Sequence, residues 1–145
     1  MKVLWIEDQE PVRDMLTIAA DKAARARVQI DLVLAHTLME AERRLRLERF
    51  DLVMTELTLP DSYDGDMTIA RIANMGGHRI AVSTAHPDRD KIVETAVRCG
   101  CNISGAPVFK ASLPYNRFSQ RPESMLDFML DLMSDAAAGT ARSAA

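Results

Sequence analysis

The sequence has few cysteines, no long apolar run and no large excess of charge, and each shortage excludes a class of protein. Two cysteines among 145 residues, Cys99 and Cys101, cannot build a disulfide scaffold, and we expect both to be small buried or half-buried thiols. The short apolar run near the start is interrupted by acids at positions 7, 8 and 10, so it is neither a signal peptide nor a membrane span. A net charge of −3, from 18 basic and 21 acidic residues, gives no general attraction to nucleic acid or to membranes. These absences predict a cytoplasmic protein that binds neither.

What the chain does have is the composition of an ordinary compact domain. Hydrophobic residues make up 48% and charged residues 27% of the sequence, which is close to the globular average and argues against disorder. A chain of this length removes roughly two thirds of its unfolded surface from water, which is enough for a core without disulfides or structural metals. We therefore expect one domain.

Strand-like and helix-like hydrophobic patterns alternate along the chain. Short apolar runs predict strands at 3–6, 28–34, 50–57, 79–84 and 103–109. Amphipathic segments between them predict helices that begin near Pro11, Leu38, Asp66, Pro87 and Pro122. Since parallel strands need helical crossovers, this alternation predicts an α/β sandwich with a mostly parallel sheet. The last residues, DAAAGTARSAA, lack large apolar side chains, so we predict a domain over 1–133 and a flexible tail over 134–145.

Polar residues follow the predicted strands where the strands end. Glu7 and Asp8 follow the first strand, Glu56 the third, Thr84 the fourth and Lys110 the fifth. The carboxyl ends of parallel strands form the ligand-binding edge of such sheets, so these residues should meet there. Three carboxylates so close repel each other, and a divalent cation, a lysine such as Lys110 or a raised carboxyl pKa must offset this repulsion. Among cations, Mg²⁺ suits hard oxygen ligands of this kind.

With these residues in place, the sequence resembles the receiver domain of bacterial two-component response regulators over nearly all of 1–133. The resemblance rests on the acidic pair Glu7 and Asp8, the segment FDLVMTELTLPDSYDG at 50–65, the STA segment at 83–85, and Lys110. It implies a flavodoxin-like (βα)5 fold whose five parallel strands lie in the order 2-1-3-4-5. In that family a histidine kinase donates a phosphoryl group to an aspartate that, with the acidic pair, holds Mg²⁺.

Carried over by position, the resemblance implies two sets of site residues. Mg²⁺, where it is bound, would be held by Glu7, Asp8, Glu56 and the backbone carbonyl of Thr58. The phosphoryl group would contact Thr84, Ala85 and Lys110, with Glu56 at the acceptor position.

Glu56 stands where the family has its phosphoacceptor aspartate, and this is the main departure from the resemblance. The extra methylene moves the carboxylate roughly 1.5 Å further into the pocket, and such a shift can cost a large factor in the rate of in-line attack. The same reach lets Glu56 pair with Lys110 or Thr84 without any modification. Asp61 and Asp64, in the following loop, are expected to cap or solvate the start of the next helix rather than to accept a phosphoryl group.

The region of the fifth strand departs from the family as well. Lys110 lies ten residues after Gly100, later than the family's usual spacing. Pro107 stands where the family has an aromatic residue that moves inward upon phosphorylation. Phe109 and Tyr115 are the aromatic residues left to replace it.

The leading hypothesis is a stand-alone, atypical response regulator that acts by protein contact, with little or no phosphorylation and no enzymatic turnover. The resemblance implies a histidine kinase or a downstream effector as partner, and a homodimer through the fourth helix, fifth strand and fifth helix. The alternative is a single-domain response regulator that is still phosphorylated with Mg²⁺. A remote alternative is a small Mg²⁺-dependent phosphohydrolase with Asp8 as nucleophile, which is disfavoured because Glu10 stands where such enzymes carry a second aspartate.

The acidic pair after the first strand and a basic run in the second helix each have a purely structural explanation as well. Glu7 and Asp8 could cap the first helix, where negative charge is favourable. A basic run in the second helix is either the solvated face of that helix or a docking patch; it consists of Arg43, Arg44, Arg46 and Arg49.

Overall fold

Strands and helices alternate in the computed structural model, which describes residues 1–76, 78–85, 89–101, 103–104 and 108–144. The strands are β1 (Lys2–Ile6), β2 (Asp31–Ala35), β3 (Leu52–Thr55), β4 (Ile80–Thr84) and the two-residue β5 (Val108–Phe109). The helices are α1 (Glu10–Arg25), α2 (Leu38–Leu47), α3 (Gly65–Ala73), α4 (Arg89–Cys99), α5 (Tyr115–Gln120) and α6 (Glu123–Ala144). Pro87, predicted to open the fourth helix, lies outside the described residues.

The strands form a parallel sheet in the order β2-β1-β3-β4, with β5 beside β4. This confirms the predicted α/β class, the flavodoxin-like fold and the order 2-1-3-4 of the first four strands. Of the predicted fifth strand over 103–109, the described residues show Val108 and Phe109 paired with β4 and Ile103 in an isolated parallel bridge to Ile80. The predicted strand includes Pro107, which has no N–H to donate to a ladder, although residues 105–107 lie outside the described part.

The central strands β1, β3 and β4 are buried on both faces, which explains why their residues are mostly apolar. On one face Trp5 and Met54 pack in a cluster with side chains of α1, α5 and α6, among them Phe118. On the other face Leu4 and Val53 pack in a cluster with side chains of α2 and α3. Since side chains alternate along a strand, residues 7 and 56, which follow β1 and β3, continue the rows of Trp5 and Met54 on the α1 and α5 side.

Local sequence signals set the starts of the first three helices. Gln9 precedes α1, which has proline in its first turn. Thr37 caps α2 by accepting a hydrogen bond from the Glu40 N–H at 3.1 Å, as the capping-box pattern predicts. Asp64 caps α3 by accepting from the Asp66 N–H at 2.9 Å.

The end of the chain differs from the sequence-based expectation in two ways. The short helix α5 is additional to the five helices that the pattern predicts. The helix α6 begins at Glu123, directly after Pro122 as expected, but runs on to Ala144, where we expected a loose tail over 134–145. Alanine is the strongest helix former, and it dominates this segment. Within the described part of the chain, no helix is both long and apolar enough to span a membrane.

Candidate functional site at the carboxyl edge of the sheet

Four of the predicted site residues meet in the interior at the carboxyl ends of the strands. The register pairs Ile6 with Thr55 across β1 and β3, so the residues that follow them, at 7 and 56, come out side by side. Glu7 is fully buried, and Glu56, Thr84 and Lys110 are also buried. Lys110 lies in a 3₁₀ turn directly after β5.

The Lys110 ammonium lies between the two glutamates. Its Nζ is 2.6 Å from Oε1 of Glu7 and 3.1 Å from Oε2 of Glu56. Backbone N–H groups complete the contacts, since Gln9 donates to Oε1 of Glu7 and Leu57 donates to Oε1 of Glu56, each at 3.0 Å. We call Glu7, Glu56 and Lys110 the acid–lysine cluster. The cluster holds two carboxylates and one ammonium, so Lys110 offsets the charge of one carboxylate and bridges both.

Burial and charge shift the pKa values of groups in and beside this cluster. Burial raises the pKa of Glu7, against the opposing effect of Lys110. Burial alone would lower the pKa of Lys110, but its contacts with Glu7 and Glu56 raise it above the ordinary value. Burial, together with the charges of Glu7 and Glu56, raises the pKa of Tyr115 to about 12. The lysine is therefore firmly cationic at neutral pH.

Two buried oxygen atoms at this edge lack a hydrogen-bond partner among the described residues. They are Oε2 of Glu7 and Oγ of Ser83. A buried polar atom without a partner costs free energy, so the contacts of Oε1 with Lys110 and with the Gln9 N–H are all the more important for the Glu7 carboxylate. Tyr115 is positioned close by, because its hydroxyl donates to the backbone carbonyl of Lys110 at 3.4 Å.

An open cavity of about 600 Å³ lies directly above the acid–lysine cluster. The predicted site residues that line it are Asp8, Glu56, Thr58, Thr84, Ala85 and Lys110. Glu7 does not line the cavity, since it is buried beneath the site. The Asp8 backbone carbonyl accepts a hydrogen bond from Nη1 of Arg13 at 2.6 Å. The structure thus brings the predicted residues together but separates the two members of the acidic pair.

The acids of the loop after β3 act as helix caps. Asp61 accepts hydrogen bonds from the Leu38 and Met39 N–H groups at 2.8 and 2.9 Å, which ties the loop to the start of α2. Although partial burial opposes it, these backbone donors lower the pKa of Asp61. The expectation of a cap on the next helix is confirmed for Asp64, which caps α3. For Asp61 it is wrong, because its carboxylate reaches back to the start of the preceding helix, α2.

In this arrangement, two of the expected ligands of a divalent cation contact Lys110. Among the described residues, no three acidic, histidine or cysteine side chains lie close enough together to hold a metal ion. Glu7 and Glu56, two of the expected ligands, each direct an oxygen at the Lys110 ammonium instead. No step of the function below is therefore assigned to Mg²⁺.

Two contacts at the site were not anticipated from the sequence. Arg13 donates to the backbone carbonyls of Glu7 and Asp8 from the first turn of α1. Asp61 reaches the start of α2, 23 residues earlier in the chain. A cap from a distant loop leaves no pattern in the local sequence of α2, and only the fold brings the two segments together.

Comparison with known proteins identifies the fold. Neither any protein-family model nor any curated protein matches the chain. Among solved structures, a response regulator receiver domain protein (CheY-like) from Methanospirillum hungatei JF-1 is 14% identical, with a TM-score of 0.65, over 95% of this chain and 97% of that one. A two-component response regulator from Clostridium difficile is 20% identical, with a TM-score of 0.62, over 89% of this chain and 98% of that one.

A third similar structure comes from a protein in an activated state. It is the BeF3-activated N-terminal receiver domain of RstA from Klebsiella pneumoniae, which is 19% identical, with a TM-score of 0.60, over 91% of this chain and 98% of that one. The structural similarity shows that the chain has the fold of a receiver domain. Because the sequence identities are low, the activity must be argued from the residues of the site.

Proposed function

We propose that this protein is a response-regulator-like signalling module in which the contact between Glu56 and Lys110 replaces phosphorylation. Its output is binding to another protein rather than catalytic turnover. The observation that carries the proposal is the position of Lys110 Nζ, 3.1 Å from Oε2 of Glu56 and 2.6 Å from Oε1 of Glu7. The receiver fold of the similar structures supports the signalling class.

Glu56 is poorly placed to accept a phosphoryl group. Its Oε1 accepts from the Leu57 N–H and its Oε2 accepts from Lys110, so both oxygens are already engaged. In-line attack needs a free oxygen about 3 to 3.5 Å from phosphorus with aligned orbitals. Attack by Glu56 would first have to break a buried charge-assisted hydrogen bond, which is among the stronger polar contacts in proteins.

The contact of Lys110 with Glu56 also supports the proposal. In receivers that the sequence resembles, the equivalent lysine binds a phosphoryl oxygen together with the threonine that corresponds to Thr84. Here a carboxylate oxygen of Glu56 accepts from the ammonium without any modification. The cluster therefore imitates one contact of a phosphorylated receiver, and it needs neither a phosphoryl group nor Mg²⁺.

A surface on α4 fits the protein contact that this function requires. Val93 and Val97 project outward from α4, and the Val97 side chain is 75% exposed. The dimer face that the resemblance implies includes this helix together with β5 and the last helix, which is α6 in the structure. We propose that a second copy, an effector or a histidine kinase binds there.

The test is a phosphorylation assay on the wild type and on a matched variant. The protein is incubated with acetyl phosphate and Mg²⁺, and its intact mass is measured. We expect no adduct on the wild type. Glu56→Asp withdraws the carboxylate by one methylene and restores the acceptor of the family, so it should gain one phosphoryl group.

Two results would contradict the proposal. One is a phosphoryl adduct on the wild type that peptide mapping assigns to Glu56. The other is a large change in the NMR signals of Thr84 and Lys110 when beryllofluoride and Mg²⁺ are added to the wild type, because a lysine held by Glu56 should not be available to a phosphoryl analogue. Glu56→Asp serves as the positive control in this second measurement.

A further inference from the structure

A second cleft, larger than the cavity above the acid–lysine cluster, lies at the amino ends of β3 and β4. Its volume is about 840 Å³, within the usual range for small-molecule sites. Residues from three separate segments converge on it: Arg46 and Arg49 from the end of α2 and the turn after it, His78 and Arg79 from the segment before β4, and Met133 from α6. We call this the basal cleft.

The basal cleft is positively charged, although the whole chain carries a net charge of −3. Two acidic residues, Glu48 and Asp51, also line it, but both are engaged elsewhere. Glu48 pairs with the Lys2 ammonium at 2.6 Å, and Asp51 accepts from the Lys2 backbone N–H at 2.8 Å. The Lys2 ammonium offsets the charge of Glu48, whereas Asp51 keeps its charge, so three guanidinium groups face one uncompensated carboxylate and the cleft remains positively charged.

The three arginines of the cleft have no carboxylate partner among the described residues. Arg46 and Arg49 are exposed and make no described ion pair. Arg79 donates from Nη1 to the backbone carbonyl of Met133 at 3.3 Å, which fixes the guanidinium and leaves most of its five N–H groups available. Arginine at the last turn of α2 is favourable for the helix dipole, but that explains Arg46 alone and not three arginines from different segments.

Apolar side chains form a wall beside these charges. Leu47 is 75% exposed at the rim, Met75 is half-buried, and Phe50 is buried at the base. A bare inorganic anion would gain nothing from this wall. An organic body attached to the anionic groups would cover it and gain roughly 25 cal/mol for each Å² removed from water.

From this combination we infer that the basal cleft binds a phosphorylated small molecule of about nucleotide size. Guanidinium groups match phosphate oxygens with two parallel hydrogen bonds, which makes arginine the best side chain for this purpose. Arg46, Arg49 and Arg79 bind the phosphates, and the apolar wall receives the organic body. The site lies at the opposite edge of the sheet from the acid–lysine cluster, so this inference is independent of the proposed signalling function.

The test measures binding by isothermal titration calorimetry with ATP, AMP and inorganic tripolyphosphate as probes, without divalent cations. We expect ATP to bind more tightly than AMP, because AMP offers fewer phosphates, and more tightly than tripolyphosphate, because tripolyphosphate leaves the apolar wall uncovered. Arg46→Ala and Arg49→Ala should each weaken ATP binding on the order of tenfold, which corresponds to the loss of one charge-assisted hydrogen bond.

Arg43→Ala is the matched control. Arg43 is an exposed arginine on the same helix, but it does not line the basal cleft, and its removal changes the net charge by the same amount. It should leave the affinity for ATP unchanged. An equal loss in all three variants would show diffuse charge attraction and overturn the inference.

Two further outcomes would also overturn it. The first is no heat of binding for ATP at millimolar concentration in low salt. The second is binding of a poly-glutamate peptide that depends on Arg46 and Arg49 while ATP does not bind, which would assign the cleft to an acidic protein segment. Far-ultraviolet circular dichroism of each variant confirms that the fold is retained, since both arginines are exposed.

Discussion

The two edges of the sheet differ in whether their charged side chains are buried and paired. At the carboxyl edge, the charges of Glu7, Glu56 and Lys110 are buried and directed at one another. At the amino edge, Arg46 and Arg49 are exposed and have no carboxylate partner among the described residues. The charged groups at the carboxyl edge are thus bound to each other, whereas the arginines at the amino edge remain available to bind a ligand.

Burial explains this difference. An ion removed from water needs a close partner of opposite sign, because the loss of hydration costs several kcal/mol or more. An exposed arginine keeps its hydration, so it does not need a partner of opposite charge. The carboxyl edge is therefore where a substitution should disturb the fold, and the amino edge is where a substitution should disturb binding.

The largest expected effect comes from Lys110→Met, which keeps the side-chain length and removes the ammonium. Two buried carboxylates would lose the ammonium that bridges them, and we expect the free energy of unfolding to fall by about 3 to 5 kcal/mol. Urea denaturation monitored by the fluorescence of Trp5, the single tryptophan, measures the change. Arg49→Ala, at the opposite edge, should change stability by less than about 0.5 kcal/mol.

A double variant keeps this prediction testable should Lys110→Met fail to fold. Glu7→Gln combined with Lys110→Met leaves one buried carboxylate instead of two, so it should recover a substantial part of the lost stability. If Lys110→Met lowers the free energy of unfolding no more than Arg49→Ala does, the proposed difference between the two edges is refuted, because the buried contacts would then contribute no more than an exposed charge.

The sequence predicts most of the fold because its strongest patterns are local. The apolar run before Glu7 specifies a strand buried on both faces, and β1 occupies Lys2–Ile6. Thr37 and Glu40 specify the start of α2 through a capping box. The fifth strand is the least predictable because its pairing depends on a neighbour far along the chain. Among the described residues, Val108 and Phe109 pair with β4, and Ile103 makes an isolated bridge to Ile80.

The candidate site is only partly predictable for a related reason. The order of the polar residues along the chain indicates that Glu56 and Lys110 should meet, since both follow strands of one parallel sheet. It does not indicate that Glu7 is buried below the cavity while Asp8 lines it. Whether a neighbouring residue turns inward or outward depends on the pleat at the end of β1, which the sequence pattern does not specify.

An intermediate loss of stability is expected for Asp61→Ala, which tests whether an exposed charge at the carboxyl edge stabilises the fold when it is hydrogen-bonded. Asp61 is exposed like the basal arginines, yet its carboxylate accepts from two backbone N–H groups of α2. Loss of a helix cap costs about 0.5 to 2 kcal/mol, so the free energy of unfolding should fall by that amount. Asp14→Ala removes an exposed aspartate from α1 and should change it by less than about 0.5 kcal/mol.

The pH dependence of Asp61→Ala gives a second measure. The pKa of Asp61 is lowered in the fold, so its contribution is present above the ordinary value of 3.8 and is lost as the pH falls through the folded pKa. The stability difference between wild type and Asp61→Ala should therefore shrink on acidification below pH 4. A difference that stays constant down to pH 2 would show that the carboxylate charge is not what stabilises α2.

The smallest effect at neutral pH, and the most direct probe of the acid–lysine cluster, is the titration of Tyr115. The chain has two tyrosines, and Tyr63→Phe removes an exposed one without altering the core. Absorbance near 295 nm then reports Tyr115 alone, and the midpoint should lie at about pH 12, measured within milliseconds of a pH jump so that unfolding does not intervene.

The sign of this shift links the titration to stability. A raised pKa means that the fold favours the neutral phenol, so the contribution of Tyr115 is present below its ordinary pKa of 10.0 and is lost as the pH rises toward 12. The wild type should therefore lose stability relative to Tyr115→Phe across that window. In the Tyr63→Phe background, Glu56→Gln removes one of the two carboxylates that raise the pKa, and the midpoint should move down toward 10. If the titration midpoint of Tyr115 is unchanged by Glu56→Gln, the Glu56 charge does not act on Tyr115. The Tyr115 ring would then not be coupled to the acid–lysine cluster that we assign to signalling.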